Sequence, residues 1–123
     1  GWSILMAKTD TALVDFELDL YWAAKAGHDP MAILRANGQR ITCVHVKDAG
    51  PAPARAMMDV GAGTLDFRAM LAAGRAGALQ HWFIEHDEPA DPLASIAASM
   101  ATVRRWHRVV PRAKTVLSPP CAR

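Results

Sequence analysis

The sequence predicts an α/β fold with a parallel sheet. Two observations carry this. Strand-patterned segments alternate with segments of helical spacing, in the order β-α-β-α-β-α, and that order implies parallel strands joined by right-handed crossovers. Each strand-like segment also ends on polar residues that can do chemistry, on the edge where parallel α/β folds build their sites.

Residues 14–18, Val-Asp-Phe-Glu-Leu, alternate apolar and acidic and form the first strand, ending near Asp19. Residues 22–26 are Ala-rich and suit a short helical turn, broken by Gly27. Asp29-Pro30 opens a helix, with Asp as N-cap and Pro at the first helical position, and Gly38 stops it. Residues 40–46, Arg-Ile-Thr-Cys-Val-His-Val, are the best strand in the chain. A Pro- and Gly-containing loop spans 49–58, and its Met57 and Met58 suggest lid packing at most. Gly61 and Gly63 continue the irregular stretch as turn positions needing φ > 0. They do not make a dinucleotide-binding fingerprint, since no third Gly follows.

Asp66 caps a helix to about Ala76, with Phe67, Met70, Leu71 and Gly74 on one face. Residues 80–85 form the third strand, and 86–90 a polar loop. Asp91-Pro92 starts a last helix, which runs to about Trp106. Helices on one face of three parallel strands leave the other face bare, whereas parallel sheets are normally covered on both. The chain therefore reads as the last part of something larger.

At 123 residues the chain has the length of one domain, and 51 % apolar with 21 % charged residues is a globular composition. No run approaches the ~20 apolar residues of a membrane span. The chain opens at Gly1 without a signal-peptide pattern, which points to an excerpt and makes the cytoplasm the expected compartment. Cys43 reads as a small buried filler and Cys121 as incidental, so cysteine does not decide the compartment. Residues 1–103 hold 8 basic and 12 acidic side chains, a net −4 that argues against nucleic acid as a partner. The tail, 108–123, is basic and contains Pro, and is expected to be a solvated, disordered end.

Asp19, His45 and Glu85 stand at equivalent ends of the three strands. They form an O/N/O set that suits one divalent metal, Mn or Zn first, with Mg or Co also compatible. Each has a plainer reading: Asp19 as a strand-end cap, His45 as a satisfied core histidine, Glu85 as a partner for Arg. Lys47 shares the face of His45. It would contact a substrate hydroxyl or phosphate, or pair with Asp19, Asp48 or Asp87. His86 and Asp87 either orient Glu85 or are simply loop; Asp66 is a cap, and His107 a surface residue.

Five motifs give this arrangement a resemblance. Phe-Glu-Leu-Asp-Leu-Tyr-Trp (16–22) with Ala-Gly-His-Asp-Pro (26–30), Val-His-Val-Lys-Asp (44–48), Val-Gly-Ala-Gly-Thr-Leu-Asp-Phe (60–67) and Phe-Ile-Glu-His-Asp-Glu-Pro (83–89) occur in one order. In that order, over roughly residues 5–106, the chain resembles the sugar phosphate isomerase/epimerase family, whose fold is the xylose isomerase-like TIM barrel. The resemblance implies a partial (β/α)8 barrel: about three C-terminal βα units over residues 1–107. It implies a metal held by Asp19, His45 and Glu85 together with a further Glu from the preceding strand. Trp2-Ser3-Ile4-Leu5 looks like the segment after that strand, so the further Glu and the earlier strands are missing here.

In such enzymes the two metal-bound Glu residues trade a proton across a carbon beside a carbonyl, through an enediolate, which makes Glu85 catalytic. Trp22 stands where ketose epimerases carry a His. It cannot accept a hydrogen bond, but it can offer an apolar face to a sugar. The implied substrate is a small sugar or polyol, and dehydration of the same substrates lies within this reading. Two alternatives stand beside it. One is a metal-dependent endonuclease for abasic DNA, which needs more ligands and a basic groove. The other is a non-catalytic partial barrel, stable only as a homo-oligomer whose copies cover the bare face.

Overall fold

The computed structural model describes residues 1–107. The element order is α1 (Trp2–Lys8), β1 (Phe16–Asp19), α2 (Leu20–Lys25), α3 (Pro30–Asn37), a 3-10 turn (Gly38–Arg40), β2 (Ile41–Val46), β3 (Asp48–Ala49), β4 (Met57–Met58), α4 (Phe67–Ala76), β5 (His81–Ile84) and α5 (Pro92–His107). The predicted tail and Cys121 lie outside the described residues. β1, β2 and β5 form the expected parallel sheet, with β2 in the middle. The architecture is α/β, built on this three-stranded parallel sheet.

Side-chain alternation divides this sheet into two unlike faces. Register sets Leu18 beside Val44 beside Trp82, and Val46 beside Ile84. Leu18, Val44 and Val46 are buried and join Leu20, Leu34, Phe67, Met70, Leu71 and Val103 in one core. Burying each such apolar side chain contributes about 1.5–3 kcal/mol, and this layer holds the helices on the sheet. The opposite face carries Glu17, Asp19, Cys43, His45, Phe83 and Glu85. Phe83 is 49 % exposed there, so among the described residues no helix covers this face, as the sequence implies. Cys43 follows it and is half-buried rather than buried.

The helix starts follow the sequence. Asp29 accepts the Met31 N–H (2.9 Å), Asp66 the Ala69 N–H (3.0 Å), and Asp91 the Leu93 and Ala94 N–H groups (3.0 Å each). The short helix after β1 begins earlier than expected, at Leu20, because Asp19 itself caps it. Gly38 does not adopt a left-handed stop. It continues into the 3-10 turn, where its carbonyl accepts the Ala78 N–H and a side chain on Gly77 would collide with it.

Two elements were not legible. α1 carries no cap signal. It is held by Trp2 against Phe16 (ring centroids 5.1 Å apart) and by Arg40, which donates to the Met6 carbonyl, Thr9 Oγ1 and the Val14 carbonyl. The loop expected over 49–58 contains a small antiparallel ribbon, β3 with β4, pairing Asp48 with Met58 and Ala49 with Met57.

Asp48 fixes the loop beyond that ribbon. It is 1 % exposed, and its carboxylate accepts the N–H groups of Ala49 (2.8 Å), Gly61 (2.9 Å), Gly63 (3.0 Å) and Leu65 (3.1 Å). The two glycines serve this differently. Gly61 takes φ +93°, whereas a Cβ on Gly63 would collide with the Asp48 carboxylate and the Ala49 carbonyl. Asp48→Ala should therefore cost about 3 kcal/mol by orphaning four donors, and Asp48→Asn less. Urea denaturation of both variants checks this, and equal stability of Asp48→Ala and wild type would refute it.

Candidate metal centre

The parallel register builds the site. Asp19 pairs with His45, and His45 with Phe83, across the three strands. Glu85 follows β5, yet its N–H still donates to the Val46 carbonyl (3.2 Å), so it stays on the ladder beside Lys47. The ends of β1, β2 and β5 thus deliver Asp19, His45 and Glu85 to one point of the bare face. One ligand atom from each lies within 4.8 Å of the others.

Asp19 serves two purposes at once. Oδ1 accepts the Trp22 N–H (2.8 Å) and caps α2, as the plainer reading expected. Oδ2 turns the other way, 3.5 Å from His45 Nδ1 and 3.0 Å from Lys47 Nζ. His45 is not a core histidine. Its Nδ1 lies 2.8 Å from Glu85 Oε2, and its Nε2 lies 3.0 Å from Glu17 Oε1. Phe83 meets the imidazole edge-on, with centroids 6.1 Å apart.

Lys47 is the cation of the cluster. Its side chain is 5 % exposed, and Nζ lies 2.7 Å from Asp87, 3.0 Å from Asp19 and 3.0 Å from Glu85. Burial works against its charge. The carboxylates of Asp87, Glu85 and Asp19 outweigh burial and hold the ammonium above the ordinary lysine value. Of the expected partners Asp19 and Asp87 are present. Asp48 is not, because the residue after Lys47 faces the opposite side and caps the loop.

The donor set fits a divalent cation on two grounds. Glu85 Oε2 is shielded from solvent and lies at ion-pair distance from His45 and Lys47, yet neither contact is aligned as a hydrogen bond. Four carboxylates, Glu17, Asp19, Glu85 and Asp87, also surround a single ammonium and one imidazole. One imidazole nitrogen with two carboxylate oxygens is a mixed set that zinc or manganese accepts. The positions present thus could hold a metal, without fixing which one.

Other expected residues fall nearby. The Trp22 ring is 50 % exposed and packs edge-on against Tyr21. His86 turns away from Glu85, with Nδ1 3.4 Å from Ser95 Oγ and 3.9 Å from Asp59, while Ser95 donates to Asp59. Asp87 is tied to Lys47, and its N–H donates to Met57 Sδ (3.1 Å), so β4 packs on this loop. Sequence reasoning missed Glu17. The signal was available, since Glu17 lies two residues before Asp19 and shares its face.

No family model and no curated protein matches the sequence. Solved structures do. A sugar phosphate isomerase/epimerase from Parabacteroides distasonis ATCC 8503 superposes with TM-score 0.70 and 20 % identity, over 85 % of this chain and 36 % of that one. The fold is part of a TIM barrel. A second such protein from the same organism gives TM-score 0.69 and 20 % identity, over 84 % of this chain and 34 % of that one. A xylose isomerase-like TIM barrel/4-hydroxyphenylpyruvate dioxygenase fusion protein gives 0.59 and 23 %, over 97 % of this chain and 22 % of that one. The chain thus spans about a third of the first two barrels. Among the described residues no helix is long and apolar enough to cross a membrane.

Replacing Lys47 by Met leaves three carboxylates facing one another and should cost about 2 kcal/mol. The raised pKa fixes the pH window. The lysine's contribution is complete below its unfolded value, about 10.4, and is lost only as pH rises through the higher folded value. Urea denaturation should give the same gap between Lys47→Met and wild type at pH 7 and pH 9. A gap near zero at pH 7 would mean the network adds no stability.

Proposed function

We propose that this chain forms part of a sugar (phosphate) isomerase or epimerase, the class its first two structural neighbours are named for, and that this part carries a divalent cation on which the activity depends. One observation carries the reading: an imidazole nitrogen and two carboxylate oxygens converge at the C-terminal ends of three adjacent parallel strands. Asp19, His45 and Glu85 would hold the ion, with Mn or Zn best suited and Mg or Co compatible. A bound divalent cation would supply electrostatic stabilisation to a substrate oxygen as the neighbouring carbon loses its proton.

The chain's own residues have distinct tasks. Glu85 would move the proton at the carbon beside the carbonyl, and its 43 % side-chain exposure leaves it reachable. Lys47 would hold Asp19 and Glu85 in place. A direct contact with a substrate hydroxyl would require it to exchange one of its three carboxylates. Trp22 would offer its half-exposed ring to the apolar face of a sugar or polyol. A dehydratase on the same substrates uses the same proton removal and falls within this reading.

The test is metal content per chain on gel-filtered protein, beside Asp19→Ala and His45→Ala, with the elution volume recorded. About one Mn or Zn per chain, lost in both variants, is the expected result. Metal that ignores both substitutions, or none in wild type, would refute the assignment.

A further inference from the structure

His45 is held from both sides, and the two sides differ. Nδ1 faces Asp19 and Glu85, where the ion would sit, and among the described ion pairs Nε2 meets the Glu17 carboxylate alone, 3.0 Å away. An ionised carboxylate accepts and cannot donate, so both ring nitrogens face acceptors; with a cation on the Nδ1 side, the ring proton is left on Nε2, toward Glu17. With Nε2–H committed to Glu17, the lone pair available to a metal is on Nδ1, the nitrogen already turned toward the two oxygen ligands. A carboxylate on the distal nitrogen also makes the imidazole a better donor and fixes its ring plane. Backbone geometry supports the pairing: Glu17 stands opposite Cys43, two residues before His45 on the same face.

We propose that Glu17 is a positioning residue which, through its contact with Nε2, selects the His45 tautomer and orientation that present Nδ1 to the metal. The proposal rests on the metal reading above, and it adds a residue that touches neither ion nor substrate. The geometry also separates Glu17 from the rest of the cluster. Lys47 braces Asp19, Glu85 and Asp87, and the described ion pairs of Glu17 involve His45 alone.

The experiment measures Zn(II) affinity, by competition with a chromophoric chelator, for wild type, Glu17→Ala and Glu17→Gln. It also records 15N spectra of histidine-labelled, zinc-loaded protein and thermal midpoints of the metal-free proteins. Glu17→Ala should weaken zinc binding about 10- to 100-fold. Glu17→Gln keeps an acceptor oxygen and should stay much closer to wild type. The His45 resonances should show Nδ1 bound and Nε2 protonated in wild type, and a mixture in Glu17→Ala. The metal-free midpoints should agree.

Wild-type affinity in Glu17→Ala would overturn this proposal and leave the metal site standing. So would equal losses in both variants accompanied by lowered metal-free midpoints, which would mark a general structural effect. No zinc on wild type would overturn the metal reading and this proposal together.

Discussion

Lys47 carries a buried ammonium to a point where carboxylates from β1, from the end of β5 and from the loop after it converge. Asp19 comes from one stretch of chain and Glu85 and Asp87 from another, and the three would repel one another without it. The register brings Asp19 and Glu85 to the same end of the sheet, and the ammonium offsets the repulsion that would drive their carboxylates apart. The core beneath is ordinary aliphatic packing and would tolerate many sequences. The charged rim would not.

Adjacent residues just beyond β2 divide the work. Lys47 faces the bare side and binds three acids, while Asp48 faces the other way and binds four backbone N–H groups of the loop ahead of α4. That loop brings Asp59 to Ser95 and His86, just beyond Glu85. A two-residue step of opposite charge thus couples the site to the loop that flanks it. The alternation of the β-strand makes this possible, because neighbouring side chains cannot face the same way.

Much of this was legible in the sequence. The three strands, their parallel order, the Asp caps and the Asp19, His45 and Glu85 triad all follow from local patterns: period-two alternation, Asp-Pro starts and equivalent strand ends. What escaped has a common cause. α1 depends on Trp2 and on Arg40, which lies far along the chain, so no local signal marks it. The β3–β4 ribbon is two residues long on each side, too short for any periodicity. Gly38 looked like a stop because Gly usually is one there, but its place is set by close approach to Gly77. Glu17 was passed over although it shares a face with Asp19, because exposed strand acids normally mean solvent. The partner across the sheet that gives it meaning is seen only once the register is known.

Among the described residues, β2 is the one strand of the three-stranded sheet with a neighbour on each side. It carries His45, and Lys47 directly follows its last residue, whereas Asp19 and Glu85 come from its flanks. Strands at the edge open more readily than a strand paired on both sides. Local fraying would accordingly remove one acid at a time from the left or the right, while imidazole and ammonium stay on the backbone that exchanges its amides most slowly. The nitrogen donor is the fixed point of the site, and the oxygens are its movable jaws.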